Sequence, residues 1–379
     1  MFDKFIEFVK VLYQNLETIP LHAPVFTGNE KEYLNDCIDS TFVSYVGKYV
    51  TKFEEMTAQY TGAKNAVAVV NGTAALQIAL QTGGVERGDE VITQPLTFVA
   101  TANAISHAGA IPVFIDVDLK TMGMSAERLK DFLKLNCEVK YGFCINKTSG
   151  RKVSAILPMH TFGHPCKIDE IVETANMYNV PVIEDSAESL GSFYKGKHTG
   201  TFGLAGIISY NGNKTITTGG GGMILTDDEE FAKKARHITT TGKVPHKWEY
   251  VHDAVAYNYR MTNVNAAIGA AQMEKINDYI SNKRETASLY RKFFSNSGIE
   301  FFTEPENSLS NYWLNVIILK DKNERDSFLR YTNETGVMTR PIWKLMNKLD
   351  MYRDCQSGNL DNAEWLEERV INIPSGYRL

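Results

Sequence analysis

The chain has 379 residues, of which 43% are hydrophobic, 11% aromatic and 22% charged, enough to bury a large core and unlike a disordered or fibrous composition. A formal net charge of -5 excludes a general basic field for nucleic acid or anionic lipid, and Lys233, Lys234 and Arg236 read as a solvated helix face. The cysteines, Cys37, Cys137, Cys144, Cys166 and Cys355, form no CxxC pair and suit reduced thiols in a cytoplasmic protein.

The opening stretch MFDKFIEFVKVLYQNLE carries apolar residues at helical spacing: Phe2, Phe5, Ile6, Val9 and Tyr13. Acidic residues interrupt it and no small-residue cleavage site follows, so it is not expected to be a secretory leader. No apolar run approaches the roughly 20 residues needed to span a bilayer. From about Lys52 to Asp228, short β-branched runs alternate with longer helical patterns. The strand runs are NAVAVV (65–70), DEVITQ (89–94), IPVFIDV (111–117), VSAILPMH (153–160), VPVIEDSA (180–187) and GIISYNG (206–212). AALQIALQTGG and TFVATANAISHAG lie among them as helices. This alternation predicts βαβ units and a mostly parallel sheet covered by helices. Beyond it, 268–294 reads as one long amphipathic helix, followed by a strand in YWLNVIIL (312–319), a helix from Asn323 and a last strand at RVINIP. The expected division is a large α/β domain over 1–255, including the N-terminal helix, and a smaller α+β domain over 256–379.

In such sheets ligands bind at the carboxyl ends of the strands, and the unusual polar clusters of this chain fall there. Asn71-Gly72-Thr73 ends a strand and opens a helix, which suits either an anion site or an ordinary cap. Asp185 follows the buried run VPVI, where a carboxylate needs a cationic partner: a protonated pyridine nitrogen or a metal. Metal chemistry finds little support, because His160 and His164 sit in the loop sequence HTFGHP rather than on a helix. Lys214 lies in SYNGNKTITT, before the glycines 219–222, and reads as a phosphate contact, a Schiff-base nucleophile or an exposed hairpin lysine.

Taken together, NGTAAL, PLTFVATANAI, PMHTFGHP, EDSAESLG, SYNGNKTITTGGGG, YNYRMTNVNAAIGAAQ and TRPIW resemble the DegT/DnrJ/EryC1/StrS sugar aminotransferases, over nearly the whole chain. These are fold-type-I enzymes of pyridoxal 5'-phosphate (PLP), with a mostly parallel seven-stranded sheet between helices and a smaller C-terminal domain. The resemblance implies that Lys214 holds the cofactor as an imine, Asp185 pairs with the ring nitrogen, Phe98 stacks on the ring and His160 sits near it. Gly72, Thr73 and Ser209 would bind the phosphate, Asn211 would contribute to the cofactor site, and Asn258 would reach the partner subunit's cofactor in a homodimer. Glu188 departs from the commoner Gln or His at its position, and near the ring hydroxyl it would have to be protonated or face a cation.

The stretch IPLHAPVFTGNEKEYLNDCIDSTFVSYVGKY is most similar to the branch acting on 4-keto-6-deoxy-N-acetylhexosamine nucleotides, in bacillosamine and legionaminic acid synthesis. The implied reaction moves an amino group from L-glutamate to C4 of such a sugar. Alternatives are a 3-keto-sugar aminotransferase and a PLP-binding regulatory protein. A PLP-dependent sugar dehydratase would carry histidine in place of Lys214, and a desulfurase would need Cys166 as a mobile nucleophile. Tyr312, Trp313 and Arg340 are candidates to line the sugar-nucleotide entrance, although Trp313 also fits a core position and Arg340 a surface salt bridge.

Overall fold

The structure is a computed structural model and describes residues 1–14 and 16–378; Asn15 and Leu379 of the expected domains lie outside the described residues. Seven strands build the central sheet: β1 (Asn65–Val69), β2 (Glu90–Thr93), β3 (Ile111–Phe114), β4 (Val153–Leu157), β5 (Ile183–Asp185), β6 (Ala205–Ser209) and β7 (Gly222–Thr226). Two hydrogen-bonded groups, β1-β7-β6-β5 and β4-β2-β3, join through parallel bridges Ile156–Val182 and Met159–Asp185. Strand β7 alone runs antiparallel, to both β1 and β6, and no run anticipated it. The other neighbours pair in parallel.

Helices flank the sheet: α1 (Phe2–Leu12), α2 (Glu30–Asp39), α3 (Lys48–Thr61), α4 (Gly72–Thr82), α5 (Val99–His107), α6 (Ala126–Asn136), α7 (Ile168–Asn176) and α8 (Glu229–Thr239). Alternate residues of β1 enter opposite cores. Val67 and Val69 pack with Leu76, Leu80 and Phe231 from α4 and α8, whereas Ala66 and Ala68 join Phe53 of α3 on the other face. A sheet covered on both faces explains why its strands read as continuous apolar runs.

The expected single helix over 268–294 is two: α9 (Asn263–Met273) and α10 (Ile276–Phe294). Lys275, at φ -112° and ψ 4°, interrupts the helical backbone. Glu274 beside it is held by Asn29, Tyr33 and Lys52, a set of long-range partners that the apolar periodicity did not register. Four short strands follow, β8 (Glu300–Phe301), β9 (Asn315–Ile318), β10 (Arg340–Pro341) and β11 (Val370–Ile373), in the antiparallel order β8-β9-β11-β10. They pack with α11 (Lys322–Glu334) and α12 (Asp361–Glu367).

Packing crosses the expected division at residue 255 in both directions. Ala266, Ala267 and Ala270 of α9 are buried with Cys37 of α2 and Phe53 of α3. In the opposite sense, Phe5, Ile6 and Val9 of α1 are buried among Tyr290, Phe294, Phe328 and Ile371. Phe5 is fully buried, with its ring centroid 5.1 Å from that of Phe328 and 5.9 Å from that of Phe294. Phe5→Ala is expected to cost ~3–5 kcal/mol in guanidinium unfolding, as for other buried aromatics. A loss under ~1 kcal/mol would show that α1 is not part of this core.

Candidate active site

The carboxyl ends of β1, β5 and β6 open onto one cavity of about 330 Å³. Gly72, Thr73, Phe98, Asp185, Glu188, Ser209, Asn211, Lys214 and Trp313, separated in sequence, all line it. Its size falls in the range of small-molecule sites.

Asp185 ends β5 and is 2% exposed. Its Oδ2 accepts from Thr101 Oγ1 at 2.7 Å and its Oδ1 from the Ala187 amide at 3.2 Å. Thr101 lies on α5 and is itself braced by Thr97 at 2.6 Å. Burial pushes the Asp185 pKa up, partly offset by the Thr101 and Ala187 hydrogen bonds and by the charge of Lys214. No ion pair to Asp185 exists among the described residues. Such a carboxylate is suited to a cationic ligand, which would replace part of the lost hydration.

Lys214 stands in the turn after β6, its amide donating to Asn211 O at 3.0 Å. Its Nζ is 3.3 Å from Glu188 Oε1 and 4.0 Å from the centroid of the Trp313 ring. Trp313 is anchored in turn, its Nε1 donating to Asn213 O at 2.7 Å. The amine is thereby held by a carboxylate and an aromatic face. Burial raises the Glu188 pKa to about 7, with Lys214 opposing the rise, and Oε2 accepts the Phe162 amide at 2.9 Å.

The first turn of α4 supplies an anion cradle. Asn71 caps the helix, its Oδ1 accepting the Ala74 amide at 2.8 Å. Gly72 packs against Ser209 so closely that a Cβ there would lie 3.0 Å from Ser209 Cβ and 3.2 Å from its Oγ. Glycine therefore lets helix amides and a hydroxyl converge, the arrangement that binds phosphate. Phe98, half exposed, and Trp343, with ring centroids 6.3 Å apart, form the outer aromatic wall.

Other expected residues lie elsewhere. His160 is fully buried outside the cavity lining. Its Nδ1 accepts the Cys166 amide at 3.2 Å, which leaves Nε2–H to donate to Glu184 Oε2 at 3.0 Å. Glu184 also receives the amides of Gly200, Phe202 and Gly203, so His160 braces the loops beneath Asp185. Cys166 is buried in this bracing layer, away from the cavity. Tyr312 is buried, with its hydroxyl accepting the Glu304 amide at 3.0 Å, and does not line the cavity. Arg340 is exposed on β10 and donates to Asn333 Oδ1 and Thr339 O, also outside the lining. Asn258 is exposed on a bridge to Thr240, away from the cavity of its own chain.

Sequence reasoning missed Thr101, Met159, Asn213 and Trp343 as cavity residues. Thr101 was recoverable, because it lies three residues after Phe98 at the start of a helix and so shares its face. Trp343 offered no signal beyond its place in TRPIW.

A lysine, a buried carboxylate and a phosphate cradle at the strand ends of this sheet define a fold-type-I PLP-dependent aminotransferase, and the donor set fits that cofactor. Residues 25–379 match the DegT/DnrJ/EryC1/StrS aminotransferase family, and the chain belongs to it. GDP-perosamine synthase of Escherichia coli O157:H7 is 41% identical, covering 95% of this chain and 94% of the relative. EpsN of Bacillus subtilis, whose name describes a pyridoxal phosphate-dependent aminotransferase, is 36% identical over 95% and 92% of the two chains. Among solved structures, Escherichia coli GDP-4-keto-6-deoxy-D-mannose-3-dehydratase with bound hydrated PLP is 25% identical, with a TM-score of 0.83 and 96% of both chains covered. The same fold thus serves two chemistries. This chain is a PLP-dependent nucleotide-sugar aminotransferase.

Glu188 provides a test of the site's electrostatics in the cofactor-free protein. Its folded pKa of about 7 lies above the ordinary 4.5, so the folded state holds this proton more tightly than the unfolded chain. Its contribution to stability is greatest below pH 4.5 and is lost as pH rises through 7. Glu188→Gln should therefore raise the melting temperature, relative to wild type, more at pH 8 than at pH 5. An equal difference at both pH values would refute the shift.

Proposed function

We propose that the enzyme transfers the amino group of L-glutamate to C4 of a GDP-linked 4-keto-6-deoxyhexose. The similarity to GDP-perosamine synthase over nearly both chains, with Lys214 and Asp185 in one cavity, carries this reading. It favours a GDP-sugar over the N-acetylhexosamine nucleotides of bacillosamine and legionaminic acid synthesis that the N-terminal stretch suggests.

PLP, when bound, supplies the electron sink for proton removal next to nitrogen. Lys214 would carry it covalently, Asp185 would hold the ring nitrogen protonated, and Gly72, Thr73 and Ser209 would bind its phosphate. Once displaced by the incoming amine, the Lys214 Nζ acts as general base toward the donor's α-proton and later as general acid toward the sugar carbon. Glu188, 3.3 Å away, orients that amine and offsets its charge. Phe98, Trp313 and Trp343 exclude water around it and offer flat faces to the sugar.

The active unit in this reading is a homodimer. The segment carrying Asn258 exposes Trp248 (74%), Tyr250 (80%) and Val255 (99%), apolar area that a second copy would cover. Asn258 would then complete the partner's phosphate site.

Two measurements test these proposals. L-Glutamate should convert the visible band of the PLP-loaded protein, and a GDP-4-keto-6-deoxyhexose should restore it, with a UDP-4-keto-6-deoxy-N-acetylhexosamine much less effective. The reverse preference would return the acceptor to the N-acetylhexosamine class. Mixing inactive Lys214→Ala with impaired Asn258→Ala subunits should regain activity through hybrids holding one intact site. No recovery in a verified hybrid would refute the shared site.

A further inference from the structure

Lys214 also forms part of the wall of a second, much smaller chamber, which neither Asp185 nor Glu188 lines. This chamber, about 10 Å³, is lined by His22, Thr215, Thr217, Gln272, Tyr279 and Lys283, among others. No carboxylate lines it, although Gln272 in its wall donates to Glu30 at 2.5 Å. Lys283 is 2% exposed on α10, and its Nζ donates to Trp313 O at 3.1 Å and Ser375 O at 2.6 Å. An ammonium has three N–H donors, so one remains. Burial lowers the Lys283 pKa to about 7, so its amine can both give and take a proton near neutrality. His22 Nδ1 is enclosed and has no hydrogen-bond partner, although the residue is partly exposed. Burial and the charges of Lys283 and Lys214 hold this imidazole neutral.

Of the remaining polar groups, Thr215 Oγ1 accepts from Asn311 Nδ2 at 3.3 Å and keeps its own hydrogen to donate, while the others are committed. Thr217 Oγ1 donates to Tyr210 O, while Gln272 Nε2 and Tyr279 OH both bond Val25 O. The open valences are therefore His22 Nδ1, one position on Lys283 and the Thr215 hydroxyl hydrogen, in a chamber that Lys214 also lines. A polar space of this size takes one water, which needs two to four such partners.

We propose, resting on the aminotransferase reading above, that this chamber binds one water between His22 Nδ1, Lys283 and Lys214, and that it is the port through which Lys214 exchanges protons with solvent. The balance is simple: Lys214 gives a proton to the water, the water gives one to Nδ1, and Nε2 releases one outward. Each passage leaves Lys214 neutral, the water restored and the imidazole in its other tautomer, and reversal returns both the proton and the tautomer. When cofactor and donor fill the large cavity, bulk water is excluded from the Glu188 side and this route remains.

The test is isotopic. The PLP-loaded protein is converted once with α-deuterated L-glutamate, and the deuterium retained on the aminated cofactor is measured by mass spectrometry. Wild type should lose most of the label to solvent. In His22→Phe the exchange should slow about tenfold and retention rise accordingly, an effect of the size a positioned proton-transfer group can produce. His22→Asn, whose amide replaces Nδ1, should fall back toward wild type. Full conversion with equal retention in all three proteins overturns the port alone, whereas no conversion by glutamate in wild type overturns the aminotransferase reading and the port together. A high-resolution crystal structure of the holoenzyme gives a second readout. Density for a water bonded to His22 Nδ1 and Lys283 Nζ supports the proposal, and an ordered chamber without one overturns it.

Discussion

The arrangement depends on one costly placement, the Asp185 carboxylate at the end of β5 in a setting that disfavours its charge. A hydroxyl from Thr101 and one amide do not replace the water it has lost. In the proposed function, a cationic heterocycle bound beside it would recover the missing interaction. The surrounding structure keeps it from escaping. Thr101 of α5, braced by Thr97 just before that helix, fixes one oxygen, and the layer of Glu184, His160 and Cys166 holds the loops below.

Lys214 is governed by a different kind of contrast. In the large cavity it meets Glu188 and the face of Trp313, and it shares the wall of the small chamber with Lys283 and His22. Trp313 links the two, since its indole covers the amine while its carbonyl accepts from Lys283. In the proposed mechanism this side chain carries a cofactor, leaves it and then moves a proton, and here it stands between acidic and basic groups.

Much of this was legible in the sequence, because buried strands in a covered sheet read as uninterrupted apolar runs and their polar ends stand out. Asp185 after VPVI and Lys214 in SYNGNK are such ends, and both line the cavity. Strand β7 escaped notice because it follows the glycine run, whose effect on the chain direction depends on tertiary pairing with β1 and β6. The break at Lys275 was equally hidden: the apolar rhythm continues through it, and the partners of Glu274 come from residues 29–52. The positions of His160 and Tyr312 were not readable, since each is a polar ring that the fold buries, His160 against Glu184 and Tyr312 against the Glu304 amide. Arg340 lies three residues before Trp343, yet only the tryptophan lines the cavity.

The central claim is that Lys214, and no other lysine, carries the cofactor. Loading the protein with PLP, reducing with borohydride and mapping the digested peptides tests it directly, because reduction makes the imine permanent. The account predicts a pyridoxyl-phosphate adduct on Lys214 at close to one per chain. An adduct on Lys283 instead, or a protein that binds PLP without any reducible linkage, would contradict it.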